Sequence, residues 1–150
     1  MKPVLVALVL LLIGVTSAES EHVKVNNFDV SFELNKTHDY KVNTEDGFNG
    51  SLLIRTLDGP IEINLFKYPN SIDASTILNN KKGSDVTIDG LPAKNSLLLT
   101  NQAAAYQLVE YYPDLKNGKA TTYAVVAIGS GIDLFSVVDF LKSLQIKAGV

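Results

Sequence analysis

The chain predicts an α+β domain, an antiparallel β-sheet flanked by two helices. Three observations carry that expectation. Short apolar runs are separated by Asp-Gly and Asn-Gly pairs, the apolar period changes in "NSIDASTILNNKKG", and the chain closes on an amphipathic stretch, "SGIDLFSVVDFLKSLQIK". Such dipeptides reverse a chain within two residues because both positions tolerate positive φ. Alternating and 3.6-residue apolar periods then separate strand from helix.

Met1 to Ala18 stands apart from that domain. Lys2 precedes an unbroken apolar run from Val4 to Ile13, and Thr16-Ser17-Ala18 supplies the small side chains of a signal-peptidase site. The run falls short of the roughly 20 apolar residues of a spanning helix. The expectation is a secretory signal peptide over 1–18, cut after Ala18, and a single domain over 19–150.

Within the domain, "HVKVNNFDVSFEL" (His22 to Leu34) sets Phe28, Val30 and Phe32 on one face and Asp29, Ser31 and Glu33 on the other, which reads as one strand with a wet face. Asn35 to Gly50 is polar and loop-like, with a short strand at Tyr40 to Val42. "SLLIRTL" and "PIEINLFKY" flank Asp58-Gly59 as a hairpin, and Pro60 sits just past the turn, where a missing donor is tolerated. Asn70 to Gly83 reads as a helix with Ser71 as N-cap, Ile72, Ile77 and Leu78 as its stripe, and Lys81 and Lys82 in the last turn.

"SDVTI" and "LPAKNSLLLT" flank Asp89-Gly90. "AAAYQLVEYYPDL" and "ATTYAVVAI" flank Asn117-Gly118, with Pro113 at an outer edge or a bulge. In the closing helix Leu134, Val137, Val138, Leu141 and Leu144 recur at helical spacing, and Ser130 with Asp133 has the S-x-x-D form of a capping box.

This order of elements, with Gly90, Pro92 and Ala93 in a G-x-A turn and Leu141, Ser143, Leu144 and Ile146 in the closing phrase, resembles the PsbP/Mog1 fold group. That group includes small exported or lipid-anchored PsbP-like proteins, DcrB-like and LpqN-like ones among them. The resemblance spans nearly all of the chain after Ala18. One departure is plain: where the group's first strand usually leads into a P-x-G-W turn, this chain has "ELNKTHDY". The resemblance implies a PsbP/Mog1-like layered sandwich and an accessory, binding or assembly role; no cofactor is expected, since no phosphate-cradling glycine motif is present.

Composition removes several chemistries. The chain has no cysteine and no tryptophan. Disulfide exchange, thiol nucleophiles, zinc–cysteine sites and iron–sulfur clusters are thereby excluded, and so is a bacterial lipoprotein cysteine after the apolar run. The formal charge of −3 becomes −4 once Lys2 is removed. There is no basic run or basic aromatic stripe for nucleic acid, and an acidic surface disfavours anionic lipid. Asn35-Lys36-Thr37 and Asn49-Gly50-Ser51 are sequons, so Asn35 and Asn49 are glycan acceptors in a host with that machinery.

A serine triad needs a base and a nucleophile elbow. The two histidines, His22 and His38, lie near the new N-terminus and in a polar loop, and G-x-S-x-G is absent. His38-Asp39 with Glu45-Asp46 is the one cluster of metal-ligand types, but it lacks a calcium-loop frame, so no metal site is expected. Glu62 and Glu110 are strand carboxylates that would serve a hydrolase only by facing one another across a cleft.

The tyrosines remain. In "AYQLVEYY", Tyr106, Leu108, Glu110 and Tyr112 share one strand face, Gln107, Val109 and Tyr111 share the other, and Tyr123 joins one of them across the turn. The candidate binding residues are therefore Tyr106, Glu110, Tyr111, Tyr112 and Tyr123, although cross-strand aromatic packing accounts for the same residues without a ligand. The expected function is that of an exported, non-catalytic accessory protein of the cell envelope. It would recognise an envelope protein or a small ligand. A small extracytoplasmic hydrolase using Glu62, Glu110 or the His38 loop, and a structural envelope component, are the competing classes.

Overall fold

A computed structural model describes residues 19–44, 49–101 and 105–149. The expected signal peptide and the Glu45-Asp46 half of the acidic cluster lie outside the described residues. The elements run β1 (Glu19–Val25), β2 (Phe28–Leu34), β3 (His38–Thr44), β4 (Asn49–Thr56), β5 (Gly59–Ile72), α1 (Ala74–Asn79), β6 (Ser84–Ile88), β7 (Leu91–Leu99), β8 (Ala105–Tyr111), β9 (Ala120–Gly129), α2 (Leu134–Ser143) and β10 (Gln145–Ala148).

They build two antiparallel sheets. The larger has seven strands in the order β3-β4-β5-β9-β8-β7-β6, and the smaller has three in the order β1-β2-β10. The expected α+β sandwich, one sheet flanked by two helices, is thereby corrected. Strands hold 64 % of the structure and helices 13 %. Helix α1 is six residues long and sits at one end of the large sheet, while α2 shares a layer with the small sheet. The molecule is a β-rich two-layer fold.

The layers meet because the strands alternate. Ile61, Ile63 and Leu65 of β5, Ala124, Val126 and Ile128 of β9, Leu52 and Ile54 of β4, and Val109 and Tyr111 of β8 all point inward. Val30 and Phe32 of β2, Phe140 and Leu144 of α2, and Ile146 of β10 meet them from the second layer. The Phe32 and Phe140 rings lie 5.5 Å apart and tilted, an ordinary aromatic pairing.

Several local expectations change with this architecture. His22 to Leu34 is two strands, because Asn26 adopts a φ of 53° and the chain reverses at Asn26-Asn27. The polar stretch after Asn35 holds a seven-residue edge strand, β3, where Tyr40 to Val42 alone was expected. Asn70 to Ile72 still belong to β5, past an irregularity after Lys67 that accommodates Pro69, so α1 starts beyond Asp73 rather than at Ser71.

The closing helix is capped by Asp133, not Ser130. The Asp133 carboxylate accepts bonds from the Ser136 backbone N–H and hydroxyl, each at 2.9 Å. The helix ends at Ser143, whose hydroxyl accepts the Glu33 N–H at 2.7 Å. Gln145 to Ala148 then pair with Ser31 to Phe28 as a strand. The inward stripe is Val137, Phe140 and Leu144, so Leu134, Phe135 and Val138 face out.

The Asp58 turn is pinned from two sides. Lys36 Nζ bonds to Asp58 Oδ2 and lies 2.7 Å from Asp133 Oδ2, tying the β2–β3 link to the β4–β5 turn and to the start of α2. Lys36 holds the Asp133 carboxyl far below the usual carboxylate range, with the Ser136 bonds adding to the effect. Gly131 is required beside this clasp, since a Cβ there would lie 2.2 Å from the Asp58 carbonyl oxygen.

Candidate functional site

The outer faces of the two layers differ in character. The small sheet turns His22, Lys24, Asp29, Ser31, Gln145 and Lys147 to water around a groove of about 370 Å³ that Val23 and Val30 also line. The large sheet presents a mixed surface read directly from its register. Leu53, Glu62, Ala127 and Leu108 form one row across β4, β5, β9 and β8, and Asn64, Val125, Glu110 and Lys94 form the next row, across β5, β9, β8 and β7. Leu53, Leu108, Val125 and Ala127 are half-buried, whereas the inward residues between them are fully buried. Among the described residues no second sheet covers this face, and only its Tyr123 end is covered, by α1 and Lys81.

One end of it carries the aromatic cluster. The Asn117-Gly118 turn, with φ values of 51° and 79°, sets a constant register in which Tyr111 faces Ala124 and Glu110 faces Val125. Tyr123 therefore shares the outer face with Glu110. The Tyr123 ring lies 5.2 Å from that of Tyr112 and 5.8 Å from that of Phe66, its direct partner on β5.

The Tyr123 hydroxyl donates to Glu110 Oε1, and the same oxygen accepts Lys81 Nζ at 3.1 Å. The Lys81 ammonium also stands over the Tyr123 ring, 5.3 Å from its centre. Burial first, and then the bond to Glu110, push the Tyr123 phenol well above its ordinary range; burial and the nearby Tyr68 and Glu110 also raise Tyr112. Glu110 is thus engaged as an acceptor on both sides, with Lys81 balancing its charge. The arrangement is built to hold an aromatic surface in place.

The five candidate residues separate. Glu110, Tyr112 and Tyr123 come together, with Tyr112 packed into a small second core made with Ala74, Leu78 and Ala120. Tyr111 points into the main core, 1 % exposed, and its hydroxyl has no hydrogen-bond partner among the described residues. Burial raises its phenol strongly as well. Tyr106 lies on the outer face at the opposite end of β8, in register with Gly129.

Phe66 and Lys81 belong to the cluster without having been singled out. Lys81 reaches Glu110 across 29 positions of sequence, which no local pattern reveals. Phe66 follows from register once β5 is placed beside β9.

The other chemical candidates occupy separate places. Glu62 and Glu110 share the outer face, but β9 runs between their strands and they stand one row apart, roughly 12 Å at the standard strand spacings. His38 is held between the Lys36 carbonyl, 2.7 Å from Nδ1, and Glu21 Oε1, 3.5 Å from Nε2, and packs on Phe32. Asp39 pairs instead with Arg55 at 3.1 Å. Among the described residues no group of three or more His, Asp or Glu is placed to hold a metal ion. Asn35 is an exposed residue of the β2–β3 link, and Asn49 begins β4.

No family model matches the chain, and neither a curated protein nor a solved structure does.

Proposed function

We propose that this is an exported binding protein of the cell envelope that docks a protein partner on the outer face of its large sheet. The observation that carries the reading is that face itself. It spans seven strands, has apolar and aromatic residues half-exposed along its middle rows, and is left uncovered among the described residues except where α1 and Lys81 pack on its Tyr123 end. Strand spacings of about 4.8 Å and rises of about 3.4 Å give it roughly 600–700 Å². That approaches the ~800 Å² each partner contributes to a standard interface.

A solvent-facing sheet of a monomer ordinarily alternates to polar residues. Here Leu53, Leu108, Val125 and Ala127 occupy those positions, with Phe66 and Tyr123 at one end and Tyr106 and Leu98 at the other. Glu62, within the middle row, and Lys41, at its β3 edge, supply exposed charges that give register to such a contact. The export expectation from Met1 to Ala18 places the partner outside the cytoplasm, and the accessory role implied by the PsbP-like resemblance agrees with a binder.

Photo-crosslinking in the native host tests the proposal. A benzophenone side chain at Leu108 or Ala127 is expected to capture one and the same envelope protein. Capture is expected to fall when Phe66 and Tyr123 are both replaced by alanine, whereas a probe at Lys147 on the small sheet captures nothing. Equal capture from Leu108 and Lys147, or none from either outer position, contradicts the reading.

A further inference from the structure

The β3 edge of the large sheet is open among the described residues. β3 runs unbroken from His38 to Thr44, pairs with β4 on one side only, and contains neither proline nor glycine. Every second residue of such a strand turns its backbone N–H and C=O away from the sheet, a row of groups that a further strand can pair with. β1, an edge of the small sheet, lies against β3 and β4, with Glu21 Oε1 3.5 Å from His38 Nε2. Both layers therefore end on this side of the molecule.

Proteins ordinarily protect an edge of this length with charge, and β3 carries two, Asp39 and Lys41. Both are exposed, and both lie on the outer face, where they stand opposite Arg55 and Leu53 of β4. Their spacing decides which pairings they exclude. A second copy related by a two-fold axis normal to the sheet would add its β3 antiparallel to this one, and the pleat allows only residues of the same face to stand opposite one another. An axis through Asp39 or through Lys41 sets like charges directly opposite, which is destabilising. An axis through Tyr40 sets Asp39 of each copy opposite Lys41 of the other.

Arg55, 3.1 Å from Asp39, extends that match, so the row across the junction reads Arg55 and Asp39 from one copy, then Lys41 and Leu53 from the next. On the inner face the same register sets Tyr40, 44 % exposed, against its own mate, and Val42 against His38. The remaining edges lack this match. β6 has five residues and one charge, Asp85, already paired with Lys94, and β10 has four residues. On β1, Glu21 and Lys24 are an odd number of positions apart and face opposite sides, so no two-fold register opposes them.

We infer that β3 is a self-pairing edge, at which two copies of the chain join antiparallel about Tyr40 and merge their seven-stranded sheets into one. The pairing covers His38 to Val42 of each copy, which is short for an interface, so the dimer is weak and forms as concentration rises. It does not depend on what the outer face binds.

Sedimentation velocity tests this on the protein as its host produces it, with Asp39→Lys, Lys41→Glu and an equimolar mixture of the two variants alongside. Both positions are exposed, and circular dichroism verifies folding. The parent is expected to pass from monomer to dimer as concentration rises. Each variant alone sets like charges opposite in both pairs, and its association is expected to weaken by about tenfold or more. The mixture is expected to recover the parent's association, because a mixed dimer again opposes unlike charges in both pairs.

The chain has no cysteine of its own, which permits a second measurement. With oxidised glutathione, Tyr40→Cys, on the axis, is expected to form a disulfide-linked dimer, and Asn43→Cys, three residues from the axis, is not. A parent that stays monomeric at every concentration overturns the inference. So do variants that associate as the parent does, a mixture no better than its components, or equal dimer yields from the two cysteines.

Discussion

Replacing Phe140 with alanine removes a ring that is fully buried between the sheets and packed on Phe32 at 5.5 Å. The ring is held on several sides by the β2 and α2 side chains of the main core, so the site cannot collapse freely around the deletion. Truncations of this kind cost about 3–5 kcal/mol, the transfer loss plus the cavity left behind. Against a typical domain stability of about 5–15 kcal/mol, that is about a fifth of the total or more. In urea, with a slope of about 2 kcal/mol/M, the midpoint is expected to fall by roughly 2 M at unchanged slope. Phe135, on the same helix and 82 % exposed, is the control, and its alanine variant is expected to stay within about 0.5 kcal/mol of the parent. Equal shifts for the two variants, or a Phe140 effect below about 1 kcal/mol, would refute the orientation assigned to α2 and with it the packing of the two layers.

Acid should loosen the clasp at the Asp58 turn, at one end of the large sheet. The Asp133 carboxyl is held low by Lys36 and Ser136, so its contribution is present above the unfolded carboxylate value of about 3.9 and is lost as pH falls below it. Thermal melts of Asp133→Asn between pH 2 and 6 are expected to show a smaller pH dependence than the parent; a parallel dependence contradicts the clasp. Alkali acts on the other end. Burial raises Tyr111, Tyr112 and Tyr123, so the stability they contribute is present below about pH 10 and lost as pH rises further. With no tryptophan in the chain, tyrosinate absorbance reads them cleanly, and part of it should appear only together with the loss of far-UV ellipticity. Full ionisation while the fold remains intact contradicts their placement. Gly131→Ala forces a Cβ against the Asp58 carbonyl, and a midpoint loss of about 1–3 kcal/mol is expected in urea; no loss contradicts the close approach of turn and helix start.

The legible parts of the fold were those governed by short-range chemistry. Asp89-Gly90 and Asn117-Gly118 have the positive φ values their sequences require, and their hairpins follow directly. Asn26-Asn27 performs the same reversal without a glycine, inside an apolar alternation that continues on either side, so β1 and β2 read as one strand. The last helix showed more apolar residues than one stripe can bury. Leu134 and Val138 fitted the period as well as Phe140 did, and only the position of β2 decides between them. Gln145 to Ala148 became a strand because β2 offers an edge there, a long-range cause with no local mark. These additions move the fold from a sheet with helices to two sheets.

Within the candidate site, the pairing of Glu110 with Tyr123 was within reach of the sequence. A two-residue turn at Asn117-Gly118 fixes the register, and counting back from it places both on one face. The same count places Tyr111 on the opposite face, toward the core. Lys81 and Phe66 come from elements whose positions depend on β5 lying beside β9, and no spacing within the chain specifies that neighbour.

The central claim is that one face of the seven-stranded sheet is a free surface while the other is core. Native-state thiol labelling of single cysteines on adjacent positions of β8 and β9 tests it most directly. Leu108→Cys and Ala127→Cys are expected to react in the folded protein, while Val109→Cys and Val126→Cys react only through unfolding and at least a hundredfold more slowly, by an order-of-magnitude estimate from the opening free energies of core strands. Slow reaction at all four positions, or fast reaction at Val126, would contradict the account.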